Sequence, residues 1–254
     1  MLLALDIGNT TITLGLYEGE KAGPRWRLET VRTRLADEYG LTLTALLAGA
    51  GLQREQVRGA AISSVVPPLT GTWVDVCRRT LGVDPLVVGT GVKTGVRVLY
   101  EDPRQVGADR IVNAAAVKET WGGPACIVDF GTGTTFDALS ARGEYLGGAI
   151  APGIGIAAEA LHARAAKLPR VDLVRPPAAI GRNTDHALQS GLLFGYVGLV
   201  EGMVARFRAE LGPEMKVVAT GGYCELLAKE TPTLAIVAPW LTLEGLRIIY
   251  AMNR

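Results

Sequence analysis

The sequence predicts an α/β protein built from two similar halves, on three observations. Short apolar runs that read as strands alternate with 3.6-periodic segments that read as helices along the whole chain. The segments LLALDIGNTTITL (2–14) and CIVDFGTGTTFDAL (126–139) repeat one order: apolar strand, D-x-G, Thr-rich turn, strand. The chain has 254 residues, 48% hydrophobic and 20% charged, which fits one large or two small globular domains with a sizeable core.

Leu2 to Leu5 is a short apolar strand, and Ile12, Leu14 and Leu16 alternate with smaller or polar neighbours as a second one. The polar residues between them make the chain open on a hairpin. Ala36 to Ala50 reads as a helix with Leu41, Leu43, Leu46 and Leu47 on or near one face and Gly51 beyond its end. Gly59 to Val66 is a strand, Pro67 starts a helix reaching Leu81, and Leu86 to Val88 is a short strand. An irregular Gly-rich stretch leads to a helix from Gly107 to Trp121, which Gly122-Gly123-Pro124 ends. The division falls there, giving halves 1–120 and 121–254.

The second half repeats the opening with strands at Ala125 to Val128 and Phe136 to Leu139, a third at Glu144 to Ala151, and a helix from Gly153 to Lys167. Arg170 to Asn183 is a loop with two adjacent prolines, and Thr184 to Leu211 is a long helix. Strand (Lys216 to Ala219), Gly221-Gly222, helix, strand (Leu234 to Val237) and helix (Leu241 to Met252) close the chain. In the long helix Leu188, Leu192, Leu199, Met203 and Phe207 form an apolar face, while Gly191, Gly195, Gly198 and Gly202 recur every three or four residues. Four helical glycines cost about 4 kcal/mol relative to Ala. Close approach to another element offsets such a cost, and that element is a dimer partner or a segment of the same chain.

Composition closes several classes. A net charge of +1 disfavours a nucleic-acid binder with a broad basic surface. Cys77, Cys126 and Cys224 lie far apart without C-x-x-C, which argues against a zinc ribbon or disulfide framework and suits a reducing cytoplasm. His162 and His186 form no H-E-x-x-H and read as surface or cap residues. No basic leader precedes the first apolar run, and no stretch approaches 18 uninterrupted apolar residues, so neither a targeting segment nor a membrane helix is expected. The P-loop pattern fails because Val92 precedes Lys93-Thr94, and G-x-G-x-x-G fails because Phe136 stands where the third Gly belongs.

The D-x-G turns are the chemical signal. Gly lets backbone approach closely, and successive N–H groups with Thr hydroxyls can donate to phosphate oxygens. Asp6 and Asp129 add a carboxylate to each turn, able to hold a metal ion directly or through water. Thr220-Gly221-Gly222, between a strand and a helix, lets a flat group lie against backbone; packing alone also explains it.

Together these features resemble the actin/Hsp70/sugar-kinase superfamily of phosphotransferases. With Gly107-Ala108-Asp109-Arg110, Gly147 to Gly153 and Thr220-Gly221-Gly222, the order of motifs is similar to type III pantothenate kinase across essentially the whole chain, with no departure at the catalytic motifs. The resemblance implies two ribonuclease H-like (actin-like) halves with a nucleotide cleft between them. It implies transfer of phosphate from ATP to pantothenate, the first committed step of coenzyme A synthesis, by a cytoplasmic homodimer with Mg²⁺ and a monovalent cation, potassium or ammonium. Neither nucleic acid nor a membrane is an expected partner. By the same resemblance, Asp6, Ile7, Gly8, Asn9, Thr10, Thr11, Ile12 and Thr13 form the ATP-phosphate turn, Asp6 also being assigned to Mg²⁺, and Thr132 touches ATP from the second turn. Asp109 is the general base; Tyr100, Gly107, Ala108, Asp109, Arg110 and Thr184 take the substrate; Asp129 holds the monovalent cation.

Phosphoryl transfer needs positioning, charge neutralisation and an acceptor that aims the hydroxyl. An ionised Asp109 is such an acceptor, and Arg110 suits the carboxylate of pantothenate. Each residue has an ordinary reading beside this one. Asp109 serves equally as a helix cap, Arg110 as a solvated surface residue, Tyr100 as a core-edge aromatic, and Thr184 as the cap of the long helix. The rival functions are a non-catalytic regulatory or accessory protein of the same fold, and a different kinase or polyphosphate hydrolase on it. Survival of Asp6, Asp109 and Asp129 favours the enzyme.

Overall fold

The computed structural model describes residues 1–165 and 168–254. They divide into two compact units, Met1–Thr120 with Leu241–Arg254, and Trp121–Trp240.

In the first unit a five-stranded sheet has the order β3-β2-β1-β4-β5. Strands β1 (Leu2–Ile7), β2 (Thr11–Glu18) and β3 (Lys21–Glu29) form an antiparallel meander, and β4 (Gly59–Ser64) and β5 (Leu86–Val87) extend it in parallel from β1. Alternation sends Leu3, Leu5, Ile7, Ile12, Leu14 and Leu16 to one face. There they meet helix α1 (Ala36–Gly49) through Tyr39, Leu43 and Leu47, and α2 (Pro67–Val76) through Leu69, Trp73 and Val76. The Tyr39 and Trp73 rings lie 4.8 Å apart between the two helices. A π-helical turn, Cys77–Leu81, prolongs α2 until Gly82, at φ 69°, ends it. On the opposite face Ala4, Gly15 and Ala61 leave room: a Cβ on Gly15 would stand 2.7 Å from Leu243 Cδ1. That spacing lets α7 (Leu241–Met252) lie on the sheet, with α3 (Ala108–Thr120) against it where Gly245 meets the Val112 carbonyl.

The second unit repeats the plan. Its sheet has the order β8-β7-β6-β9-β10, again a meander of β6 (Ala125–Phe130), β7 (Gly133–Leu139) and β8 (Tyr145–Pro152) extended in parallel by β9 (Lys216–Gly221) and β10 (Ile236–Val237). Cys126, Val128, Phe130, Phe136, Val217 and Ala219 pack against Leu193, Tyr196, Val200 and Val204 of α5 (Thr184–Leu211). Ile154 of α4 (Ile154–Arg164), and Cys224 and Leu227 of α6 (Cys224–Ala228), complete this core.

Several expectations are corrected. Helix α7, assigned by sequence order to a second half 121–254, belongs to the first unit because its apolar face covers that unit's sheet. The edge strand β3 was not anticipated, since Gly23, Pro24 and four charged residues obscure its alternation and only Trp26 and Leu28 pack on the core. Leu41 is 74% exposed, because the buried stripe of α1 runs through Tyr39, Leu43 and Leu47 at i, i+4 and i+8. The final residues of the helix expected over 153–167 lie outside the described residues. By length and composition alone α5 is long and apolar enough to cross a bilayer, but it holds no uninterrupted run of 18 apolar residues and contributes a buried stripe to the second core.

Candidate active site

The first D-x-G turn joins β1 to β2. Asp6 pairs in register with Thr13 on β2 and with Ser63 on β4, and the turn closes through Gly8 N–H donating to the Thr11 carbonyl at 3.0 Å. A Cβ on Gly8 would sit 3.0 Å from that same oxygen, so the tight closure favours Gly there. The Asp6 side points away from the Leu3–Leu5–Ile7 core face, and Asn9 at the tip is exposed. Ser63, in the same lateral row as Asp6, is fully buried, and its hydroxyl has no hydrogen-bond partner among the described residues.

The second turn has the same construction. Asp129 pairs with Thr135 on β7 and with Thr220 on β9, and Gly131 N–H donates to the Gly133 carbonyl at 3.0 Å. The carboxylate of Asp129 rests against Gly221, whose φ is 88° and whose Cβ, were there one, would stand 2.5 Å from Oδ1. Only glycine holds that backbone without strain while leaving the space that the carboxylate uses. Thr132 lies half-buried in the turn.

Each turn is braced by the first residue after its unit's third strand. Thr30 N–H donates to the Thr10 carbonyl at 3.0 Å, and Gly153 N–H to the Thr132 carbonyl at 3.0 Å. Neither brace was foreseen, because the first depends on the unrecognised β3. Once β3 is placed, the matching strand order is the signal that would have found both.

Asp109 occupies the first turn of α3. Its Oδ1 accepts from Arg110 N–H at 2.8 Å, a bond made from inside the helix to the next residue, which also donates to the Gly107 carbonyl at 3.1 Å; Oδ2 takes part in no hydrogen bond among the described residues. Burial pushes the Asp109 carboxyl above its ordinary 3.8, opposed by the Arg110 N–H bond and the Arg110 charge. Gly107 leaves room for this carboxylate: a Cβ there would be 2.5 Å from Oδ1 and 3.4 Å from Val65 Cγ1. Val65 N–H in turn donates to the Ile7 carbonyl at 3.1 Å. Through Val65, therefore, the Gly107–Arg110 segment and the first turn share the carboxyl-terminal edge of β1 and β4, where open α/β sheets bind ligands. Arg110 is buried rather than a solvated surface residue. Tyr100 is 37% exposed, in the loop before α3, rather than a core-edge ring. Thr184 is the exposed first residue of α5; the cap is Asn183, whose Oδ1 accepts from His186 N–H at 2.8 Å. No described hydrogen bond ties Tyr100 or Thr184 to either turn.

The family model for type III pantothenate kinase matches residues 2–206. The type III pantothenate kinase of Moorella thermoacetica is 54% identical over 253 residues, covering both chains completely, and that of Geobacter sulfurreducens is 52% identical over 254 residues with the same coverage. This chain belongs to the type III pantothenate kinase family.

Among solved structures, the fold is similar to that of a Campylobacter jejuni protein of the Baf family, described provisionally as a transcriptional activator. That match has a TM-score of 0.64 and 19% identity, over 99% of this chain and 98% of the other. It is also similar to the activator of 2-hydroxyisocaproyl-CoA dehydratase from Clostridium difficile, solved with ADPNP, at a TM-score of 0.53 and 14% identity, over 99% and 94%. At those identities the likeness concerns the fold alone. As in other kinases of this family, ATP is the phosphoryl donor.

Proposed function

We propose that this chain transfers the γ-phosphoryl group of ATP to the hydroxyl of pantothenate, giving 4′-phosphopantothenate and ADP and opening coenzyme A synthesis in the cytoplasm. The observation that carries the reading is the Asp109–Arg110 pair: a carboxylate with one oxygen fixed by a backbone N–H, beside a buried guanidinium, at the sheet edge that also holds the first turn. In this reading the free oxygen of Asp109 accepts the hydroxyl proton as the nucleophile attacks, and Arg110 binds the substrate carboxylate. Gly107 and Ala108 shape that pocket, with Tyr100 and Thr184 as further substrate contacts.

The residues Asp6 to Thr13 and Thr132 are assigned to ATP phosphates. Among the described residues no three His, Cys, Asp or Glu side chains cluster as a metal cage. That suits Mg²⁺, which is commonly held by one or two carboxylates together with substrate phosphates. Asp6, beside the buried hydroxyl of Ser63, supplies oxygen ligands of the type it takes. The Asp129 carboxylate in the space left by Gly221 offers oxygen to a monovalent cation, potassium or ammonium. When bound, these cations neutralise phosphate charge.

A homodimer through α5 belongs to the same proposal. Outside the adjoining turns of α5, a Cβ on Gly191, Gly195 or Gly198 would meet no atom of the described residues within 4 Å, so packing among those residues does not account for these glycines. Gly195→Leu with Gly198→Leu is expected to shift the mass measured by light scattering towards monomer; a folded, fully dimeric double variant removes α5 from the interface.

The deciding test is ADP release, with product identified by mass spectrometry, from ATP, Mg²⁺ and pantothenate with and without potassium. Pantothenate-dependent turnover with a phosphorylated product is expected. No turnover by the folded protein in either salt would overturn the proposal in favour of a non-catalytic member of the fold.

A further inference from the structure

The two turns share a backbone brace, and side chains from the braced segment add to the first. Thr30 Oγ1 donates to the Gly8 carbonyl at 2.7 Å, besides the backbone bond to Thr10, and Arg32 Nη2 donates to Asn9 Oδ1 at 2.9 Å. Both residues come from the segment that follows β3, more than twenty positions along the chain from the turn they touch. Arg32 joins no ion pair among the described residues, so an acidic partner does not explain its placement.

A guanidinium carries donors and no acceptor. The end of the Asn9 amide that faces it is therefore the oxygen, and the amide nitrogen, with its two N–H donors, faces elsewhere. An isolated Asn at an exposed tip can present either end. At an anion-binding turn the two orientations are opposite in effect: the nitrogen donates to a phosphate oxygen, whereas the carbonyl oxygen repels it. We propose that Arg32 is a positioning residue for the nucleotide site, which locks the Asn9 amide with its donor end towards the ATP phosphates. This rests on the reading that the first turn binds ATP. Arg32 need not touch the nucleotide; it acts through Asn9.

The test is a double-mutant cycle read by calorimetric titration with the β,γ-imido analogue of ATP and by steady-state kinetics, with thermal melting to establish folding. Arg32→Met is expected to weaken analogue binding and raise the ATP KM by about three- to tenfold, as for one modest hydrogen bond, while lowering kcat less. Arg32→Lys, also a pure donor, restores most of the loss. In an Asn9→Ala background, Arg32→Met adds no further loss. A loss of the same size in that background would overturn the proposal, because Arg32 would then act directly on the phosphates. An unaltered Arg32→Met where Asn9→Ala binds weakly would overturn it also. Wild-type protein that binds the analogue poorly, or Asn9→Ala that binds it normally, would instead remove ATP from the first turn, and the proposal with it.

Discussion

The two D-x-G turns have the same backbone and different surroundings. Each places an Asp one residue before the end of the strand, each closes with a 3.0 Å hydrogen bond, and each is braced by an N–H from the residue after the third strand. At the brace the first unit has Thr30, whose hydroxyl adds a bond, with Arg32 beyond it holding Asn9. The second unit has Gly153, where a side chain would run into the Thr132 and Gly131 carbonyls. The helices that follow the last strands differ in the same sense: α3 carries Asp109 at its second position, and α7 carries Thr242, which donates to Asn113 Oδ1 at 2.8 Å. A duplicated unit thus keeps its turn backbone twice and places a carboxylate at the second position of the following helix once. The first turn is held in part by side chains from the segment after β3, whereas at the brace of the second Gly153 leaves no room for one.

That contrast breaks most visibly at the braces. Gly153→Val should displace the second turn and lower turnover by at least about 100-fold, the cost of a misplacement near 1 Å, in protein that circular dichroism shows to be folded. Turnover within tenfold of wild type would mean that this turn tolerates movement. Gly221→Ala places a methyl against the Asp129 carboxylate at a φ that costs about 1–2 kcal/mol outside glycine. It is expected to abolish activation by potassium, and an unchanged potassium response would place the cation away from Asp129.

Thr30→Val, the counterpart in the first unit, keeps the backbone brace and loses one hydroxyl bond. The expected cost is about 1 kcal/mol of stability, measured by denaturant unfolding, with a rise of the ATP KM of a few-fold. A loss of activity as deep as that of Gly153→Val would erase the difference between the turns.

The smallest effect is on stability against pH. Burial raises the Asp109 carboxyl above 3.8, so ionising it costs more in the folded protein than in the unfolded chain. Its contribution favours folding below the ordinary value and is lost as the pH rises through the raised one. Asp109→Asn should therefore be at least as stable as wild type at pH 7, with the advantage disappearing in acid. A clear loss of stability at pH 7 would mean that the carboxylate is held by stabilising contacts stronger than its burial cost.

Much of this architecture was legible in the sequence. The repeat of apolar strand, D-x-G and strand located both turns, and α5 matches the helix expected from Thr184 to Leu211. What escaped has physical causes. Strand β3 lies on an edge, where one side needs no apolar partner, so its alternation is faint. With it went the Thr30 and Arg32 contacts, which join residues far apart in the chain and leave no local pattern. The placement of α7 on the first unit is a tertiary fact: its apolar stripe was readable, but the sheet it would cover was not. Asp109 is the opposite case, since its motif was visible while its burial and its single N–H bond needed coordinates.

The central claim is that Asp109 receives the hydroxyl proton in phosphoryl transfer to pantothenate, and single-turnover transfer from γ-³²P-ATP by Asp109→Asn tests it most directly. With binding of the imido analogue unchanged and the protein folded, the rate of labelled product formation should fall by about 10²- to 10⁴-fold. A fall of less than tenfold under those conditions would contradict the assignment of Asp109 as the base.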